Sequence, residues 1–243
     1  MTSRYLNCLL LLLATTQFAN GAERSYLEKS IGSQVLKLPQ LPGFVPACEE
    51  NKLFADRVAA VTPKLVVLVT CSIDTEKWRA YLNRSGADFY PMISVAISAP
   101  SSTIKFTRDA FEKLRASTKE KLGDLIAKTD FQTSYTEEDK KLAQTGVKST
   151  RTNVKVGLQG FFKPEGETAS FSYLVARDFD VVRPTTTVVA KQVSAVSLVL
   201  FSERLLTLTV VDQFDETEKG QRAQEITSRW LAAYRALNEP LPK

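Results

Sequence analysis

The last third of the chain constrains the fold most. Two β-rich runs, Thr185–Phe201 and Leu205–Phe214, are separated only by the polar turn Ser202-Glu203-Arg204, and an amphipathic segment, Thr217–Leu237, follows at once. In the first run Val189, Val193, Ala195 and Ser197 share one parity, and Val196, Leu198 and Leu200 share the other. In the second, Leu206, Leu208 and Val210 alternate with Leu205, Thr207, Thr209 and Val211. Alternation with Val and Thr enrichment predicts antiparallel strands joined as a hairpin. Ala223, Ile226, Trp230, Tyr234 and Leu237 then recur at helical spacing, with Arg222, Glu225, Arg229 and Arg235 off that stripe. A hairpin apolar on both faces needs a cover, and the helix after it carries the stripe to supply one. Trp230 and Tyr234 read as core anchors.

The chain contains no histidine. That excludes Ser-His-Asp and Cys-His catalysis, His-ligated zinc and imidazole acid–base chemistry. Its 243 residues, 44% hydrophobic and 24% charged, suffice for one sizeable core.

The start of the chain is read as processed, not folded. Arg4, the apolar run Cys8–Ala14 and the small residues of Ala19-Asn20-Gly21 match a secretory signal peptide cut between Gly21 and Ala22. The apolar run falls short of the roughly 20 residues of a spanning helix, and no later stretch spans either. No apolar run precedes Cys8, which argues against lipidation there. Export, to a periplasmic or extracellular location, follows as an expectation. Losing Arg4 from 32 basic residues leaves 31 against 27 acidic ones, a net charge of +4. The two signs are interspersed, so no nucleic-acid footprint is expected. Weak attraction to an anionic membrane surface or another envelope component stays open.

After cleavage two cysteines remain, Cys48 and Cys71. An even number in an oxidising compartment reads as a structural disulfide worth about 3 kcal/mol in the chain-entropy model. Two buried thiols or a redox pair are the alternatives, the latter without a Cys-x-x-Cys motif.

Between the ends, residues 22–33 are polar and read as a flexible arm, and Val35–Leu38 as a short strand. Three prolines and Gly43 keep Pro39–Pro46 extended. Glu49–Ala60 has helical spacing, and the continuous apolar run within Lys64–Ile73 predicts a strand buried on both faces. A short helix over Asp74–Leu82, a strand over Phe89–Ser98 and a helix over Thr107–Lys128, capped by Thr107, follow. Residues 129–146 are polar and read as a loop with one turn of helix, or as a mobile lid. Val154–Lys163 and Ala169–Arg177 predict a hairpin around Pro164-Glu-Gly-Glu. One α+β domain over about 34–240 results, an antiparallel meander covered by helices.

Few residue groups suggest chemistry. Glu137, Glu138 and Asp139 lack a cation-loop pattern and read as solvated. Asp178 and Asp180 read as surface ion-pair partners of Arg177 and Arg183 at a strand end. Gly157-Leu-Gln-Gly160 is not followed by Gly-Lys-Ser/Thr, so it marks a strand bend and not a phosphate loop. Phe161, Phe162, Phe171 and Tyr173 make an aromatic hairpin, either core on one face or a candidate partner surface. No cofactor is expected.

The layout resembles that of PsbP/Mog1-like domains of small exported bacterial-type proteins. The residues that carry it are Leu38-Pro-Gln-Leu-Pro-Gly-Phe44, the Val193–Phe214 hairpin and the helix through Ile226, Trp230 and Leu231. The resemblance implies an α/β/α sandwich and a non-enzymatic accessory or binding role, by analogy of fold. It carries no catalytic residue. Two function classes are therefore weighed: an exported binding protein with an unknown partner or ligand, and a His-independent hydrolase of the cell envelope. The hydrolase would use a Ser–Lys or paired-carboxylate mechanism, with Ser94, Lys105, Asp178 and Asp180 as its nominal residues.

Overall fold

The hairpin and helix of the last third form as their periodicity requires. Strands β8 (Thr186–Phe201) and β9 (Arg204–Gln213) pair antiparallel, with Phe201 opposite Arg204 and Glu203 at φ 61° in the tight turn. Helix α6 (Gln221–Asn238) lies across them. A computed structural model describes residues 25–32, 34–63, 66–83, 88–98, 105–164, 170–201 and 203–238. The expected signal peptide and most of the turn after Pro164 lie outside the described residues.

In chain order the other elements are β1 (Tyr26–Ile31), β2 (Gln34–Pro39), β3 (Phe44–Val45), α1 (Ala47–Glu50), α2 (Lys52–Ala60), β4 (Val66–Asp74) and α3 (Thr75–Leu82). Then come β5 (Met92–Ser98), α4 (Arg108–Lys128), α5 (Phe131–Gln144), β6 (Thr150–Phe162) and β7 (Ser170–Arg183). Seven strands form one antiparallel sheet in the order β3-β4-β5-β9-β8-β7-β6, and β1 and β2 form a separate ribbon. The fold is α+β, with helices on both faces of the sheet.

Strand parity sorts the core into two layers. On the front face Ile93, Val95 and Ile97 of β5, Val193, Ala195 and Val199 of β8 and Leu206, Leu208 and Val210 of β9 meet α6 and the β1–β2 ribbon. Trp230 is 3% exposed, and its ring stacks on Tyr234 at 5.0 Å. Gly220, just before α6, sits at φ 82°, and a Cβ there would come within 2.8 Å of Val193 Cγ2, so only glycine fits this close approach. At the other end of α6, the Asn238 side chain donates to the Lys37 carbonyl at 2.7 Å and accepts from its amide at 3.1 Å. That pair fixes the ribbon to the helix.

The rear face takes α1 to α5. Cys48 of α1 and Cys71 of β4 form a disulfide with Cα atoms 5.2 Å apart. Phe54, Trp78, Tyr81 and Phe89 pack edge-on and stacked beside it. Asp74 caps α3 by accepting from Glu76 and Lys77, and Thr107 caps α4 by accepting from Ala110. Phe111 of α4 packs with Phe171 and Leu205, while Leu125 stays exposed.

Four sequence expectations are corrected. Tyr26–Ile31, placed in the flexible arm, is strand β1, whose Leu27 and buried Ile31 join the front layer. β4 is not covered on both faces, since Val67 is 52% exposed. β7 runs on to Arg183, so Asp178 and Asp180 lie within a strand and not at its end, and Asp180 accepts from Asn153.

The fourth is the polar stretch 129–146, which holds a 14-residue helix. Asp130 caps it by accepting from Thr133, and it buries Tyr135 and Asp139. Asp139 accepts from the Arg151 backbone amide at 2.6 Å and from its Nε at 2.7 Å, while Glu138 takes Nη2 at 3.0 Å. The same guanidinium lies 4.2 Å from the Tyr135 ring centre. A helix anchored by a buried ion pair and a cation–π contact shows little apolar periodicity, so its composition read as solvated.

Replacing Trp230 by Ala should cost about 3–5 kcal/mol in urea unfolding, as large core truncations do. A loss below about 1 kcal/mol would mean that the helix face is not core. Replacing Asp139 by Ala should cost about 3 kcal/mol, because it leaves the Arg151 amide and Nε without their acceptor and only Glu138 to balance the half-buried guanidinium. An unchanged midpoint would show that α5 docks without this pair.

Candidate functional site

After β2, two prolines prevent helix and Gly43 takes φ 85°, a left-handed conformation that closes a turn with the Phe44 amide donating to the Leu41 carbonyl at 3.1 Å. The Gly43 carbonyl accepts from Thr75 at 2.9 Å, and the Pro91 carbonyl accepts from Asp74 at 3.3 Å. One wall of a cleft is thus knitted from three separate segments. The other wall is α6, whose Arg222, Glu225, Ile226 and Arg229 share one stripe toward the loop. The cavity between them is about 350 Å³.

Its charges are unequally committed. Asp74 is occupied in capping α3, and Glu225 accepts from Gln221 at 2.9 Å. Arg222 reaches the buried Asp212 with Nε 3.5 Å from the carboxylate, a long ion pair. Burial raises the Asp212 pKa above the ordinary carboxylate range, against the pull of Arg222 and of the Gln213 amide. Arg229 is exposed, and among the described residues no acid pairs with it. A concave site with a free guanidinium and a second, loosely held one can take an oxyanion through charge-assisted hydrogen bonds.

A second polar group sits on the rear face. Tyr90 hydrogen-bonds Gln192, and burial pushes the Tyr90 pKa up to about 12. Arg177, directly opposite Gln192 across β7 and β8, is half-buried.

The candidate residues named from sequence are scattered. Period two divides the aromatic hairpin: Phe162 joins the front layer, whereas Phe161, Phe171 and Tyr173 share the rear face. Phe171 is buried and Phe161 is 39% exposed. Of the hydrolase residues only Asp178 and Asp180, two apart in β7, share a face. Ser94 faces the rear, whereas Asp178 has the front parity of Leu174, and the sheet lies between them. Lys105 is exposed and pairs with Glu203 at 2.6 Å. Gly157-Leu-Gln-Gly160 forms a bulge in β6. The cleft itself was missed, because Gly43, Asp74, Pro91 and Arg229 belong to four segments whose meeting no local pattern signals. Arg222 and Arg229 read only as the solvated side of a helix.

No protein-family profile matches the chain, and no curated protein matches it. The solved structures similar in fold include these two. The Ran-binding protein Mog1p of Saccharomyces cerevisiae is 12% identical over 88% of this chain and 95% of its own, with a TM-score of 0.33. The cyanobacterial PsbP (CyanoP) of Synechocystis sp. PCC 6803 is 9% identical over 86% and 93%, with a TM-score of 0.28. These belong to the two groups whose layout the sequence resembles.

Asp212 supplies a pH test of the cleft wall. A carboxyl whose folded pKa is raised favours folding below its unfolded pKa, and that contribution is lost as pH rises through the folded value. Asp212→Asn carries no charge and keeps an acceptor for Gln213. The melting temperature of the variant, minus that of the wild type, should therefore rise between about pH 4 and pH 7. A difference that falls over this range would show that the Arg222 pair outweighs the burial cost.

Proposed function

We propose that the chain is an exported, non-enzymatic binding protein whose ligand carries a carboxylate or phosphate group and seats in the cleft between α6 and the Pro42–Phe44 loop. The observation that carries this reading is Arg229, a guanidinium lining a cavity of about 350 Å³ with no acidic partner among the described residues. Arg222 would add a second donor by turning from Asp212, to which it is only loosely held. Gly43 leaves the opposite wall without a side chain, so a ligand can approach the backbone there. Ile226 and Phe44 offer apolar area beside the charged groups.

Export is supported by the leader pattern of residues 1–21 and by the Cys48–Cys71 disulfide, which belongs to an oxidising compartment. The ion pair of Lys105 with Glu203 and the hydrogen bond of Asp180 with Asn153 support binding over hydrolysis.

Native mass spectrometry of the protein from the exported fraction tests the whole reading. The expected mass begins at Ala22, is short by two hydrogens and includes an anionic adduct. Arg229→Ala should weaken that adduct's binding at least about tenfold, the loss expected for one charge-assisted contact. A chain that retains nothing, and whose melting temperature no carboxylate or phosphate raises, would overturn the cleft as a ligand site.

A further inference from the structure

The sheet has two edges, and the chain treats the long one unevenly. β3 ends the sheet on the cleft side, and β6 ends it on the other. In an antiparallel ladder alternate residues bond to the neighbouring strand, and the rest turn their amide and carbonyl groups outward. Arg151 is outward, since its amide is taken by Asp139 and its carbonyl by Gln132 at 3.0 Å. After the bulge that follows Thr152, Val154 is outward, and its amide donates to the same Gln132 at 3.2 Å. Helix α5 thus caps the first half of the edge with side chains.

The second half has no such cap. Counting on from Val154, Val156 and Leu158 turn outward. Beyond the bulge at Leu158–Gly160, Gly160 and Phe162 pair with Leu174 and Ser172, which leaves Phe161 outward. Among the described residues no hydrogen bond reaches the outward amides and carbonyls of Val156, Leu158 and Phe161. Phe161, 39% exposed, lies on the rear face beside Phe171 with ring centres 5.3 Å apart. On the front face Gly160 has open space where a side chain would be. Helix α4 approaches the rear of this half-buried stretch at Gly123, close to Leu158, and the backbone edge beside the Phe161 ring and the bare front shelf is a template for an added strand.

Charge selects the occupant. From Thr150 to Lys163 the strand and its continuation hold Arg151, Lys155 and Lys163 and no acid. Arg151 is consumed by Glu138 and Asp139, whereas Lys155 and Lys163 are exposed at either end of the open stretch. The bulge at Leu158–Gly160 spaces the outward residues two and then three apart, so a second copy laid antiparallel cannot match its outward residues to these over the whole stretch. An extended segment with acidic residues at both ends is complementary.

We propose that the open half of β6 takes an acidic, extended segment of a partner protein as an additional antiparallel strand. The segment is about eight residues long, alternates in side-chain polarity and carries Asp or Glu at its ends, opposite Lys155 and Lys163. This surface is independent of the cleft at the opposite edge.

The probe is a synthetic peptide of alternating Val and Thr flanked by Glu, with a Lys-flanked peptide as its counterpart, titrated into the full exported chain by amide-resolved NMR. The Glu-flanked peptide should shift and protect the amides of Val156, Leu158 and Phe161 and bind at least about tenfold tighter than the Lys-flanked one. Val156→Pro removes an outward donor that the ladder does not use, so the fold should persist while binding falls about tenfold or more. The double variant Lys155→Glu, Lys163→Glu, at two exposed positions, should reverse the preference between the peptides, and it decides the matter if the proline variant does not fold. No shift with either peptide at millimolar concentration overturns the proposal. So does a concentration-dependent dimer abolished by Val156→Pro, which would give this edge to a second copy.

Discussion

Burial of the α6 stripe on the front of β5, β9 and β8 is the interaction on which the rest of the structure depends. Trp230 and Tyr234 stack in this layer together with Ala195 and Val199 of β8, and Tyr234 meets Phe201 edge-on at 5.2 Å. The β1–β2 ribbon belongs to no larger sheet, so its position follows from Leu36 and Leu38 in the same layer and from Asn238 on Lys37. The cleft is a consequence of that docking. One of its walls is α6 and the other continues from β2, so the separation of Arg229 from Gly43 is set by core packing and not by the charged groups themselves.

The rear face is held by different physics. α5 contributes one buried ring and one buried carboxylate, and Arg151 joins both to the end of the sheet. A guanidinium can do this because its planar fork satisfies two carboxylates while its face lies on Tyr135. Burial raises the Glu138 pKa, with Arg151 pulling it back, so the cluster is a desolvated network and not a surface ion pair.

What was legible in the sequence follows from this contrast. Where apolar contrast is strong, periodicity marks the element: β8, β9 and α6 lie where their alternation and stripe put them, and Asp74 and Thr107 cap the helices they precede. Where polar contacts supply the docking, composition misleads, as for α5. β1 was unreadable for a related reason: as the outer strand of a ribbon lying on the core by one face, it buries little more than Ile31. The split between Phe161 and Phe162 was legible, because neighbours in a strand face opposite ways, but it only matters once β6 is known to be an edge. The cleft was not legible at all. Its residues span Pro42 to Arg229, and only the tertiary fold makes them neighbours.

Unpaired polar groups at a surface are ordinarily met by water, so lack of a partner is not by itself a sign of function. What separates Arg229 and the Val156–Phe161 edge from the rest is that the same molecule pairs their counterparts. Arg151 receives two carboxylates and a ring, while Arg229 receives none and borders a cavity. The outward amides of Arg151 and Val154 receive Asp139 and Gln132, while those of Val156, Leu158 and Phe161 receive nothing from the described residues. The two surfaces differ in what they can distinguish. A concave site with a point charge selects an anion by size and reach, whereas a strand edge selects backbone extension first and side-chain charge second. Because they sit at opposite ends of a seven-stranded sheet, occupancy of one leaves the other sterically free. On the two proposals, one chain would hold a small anion and an extended partner segment together.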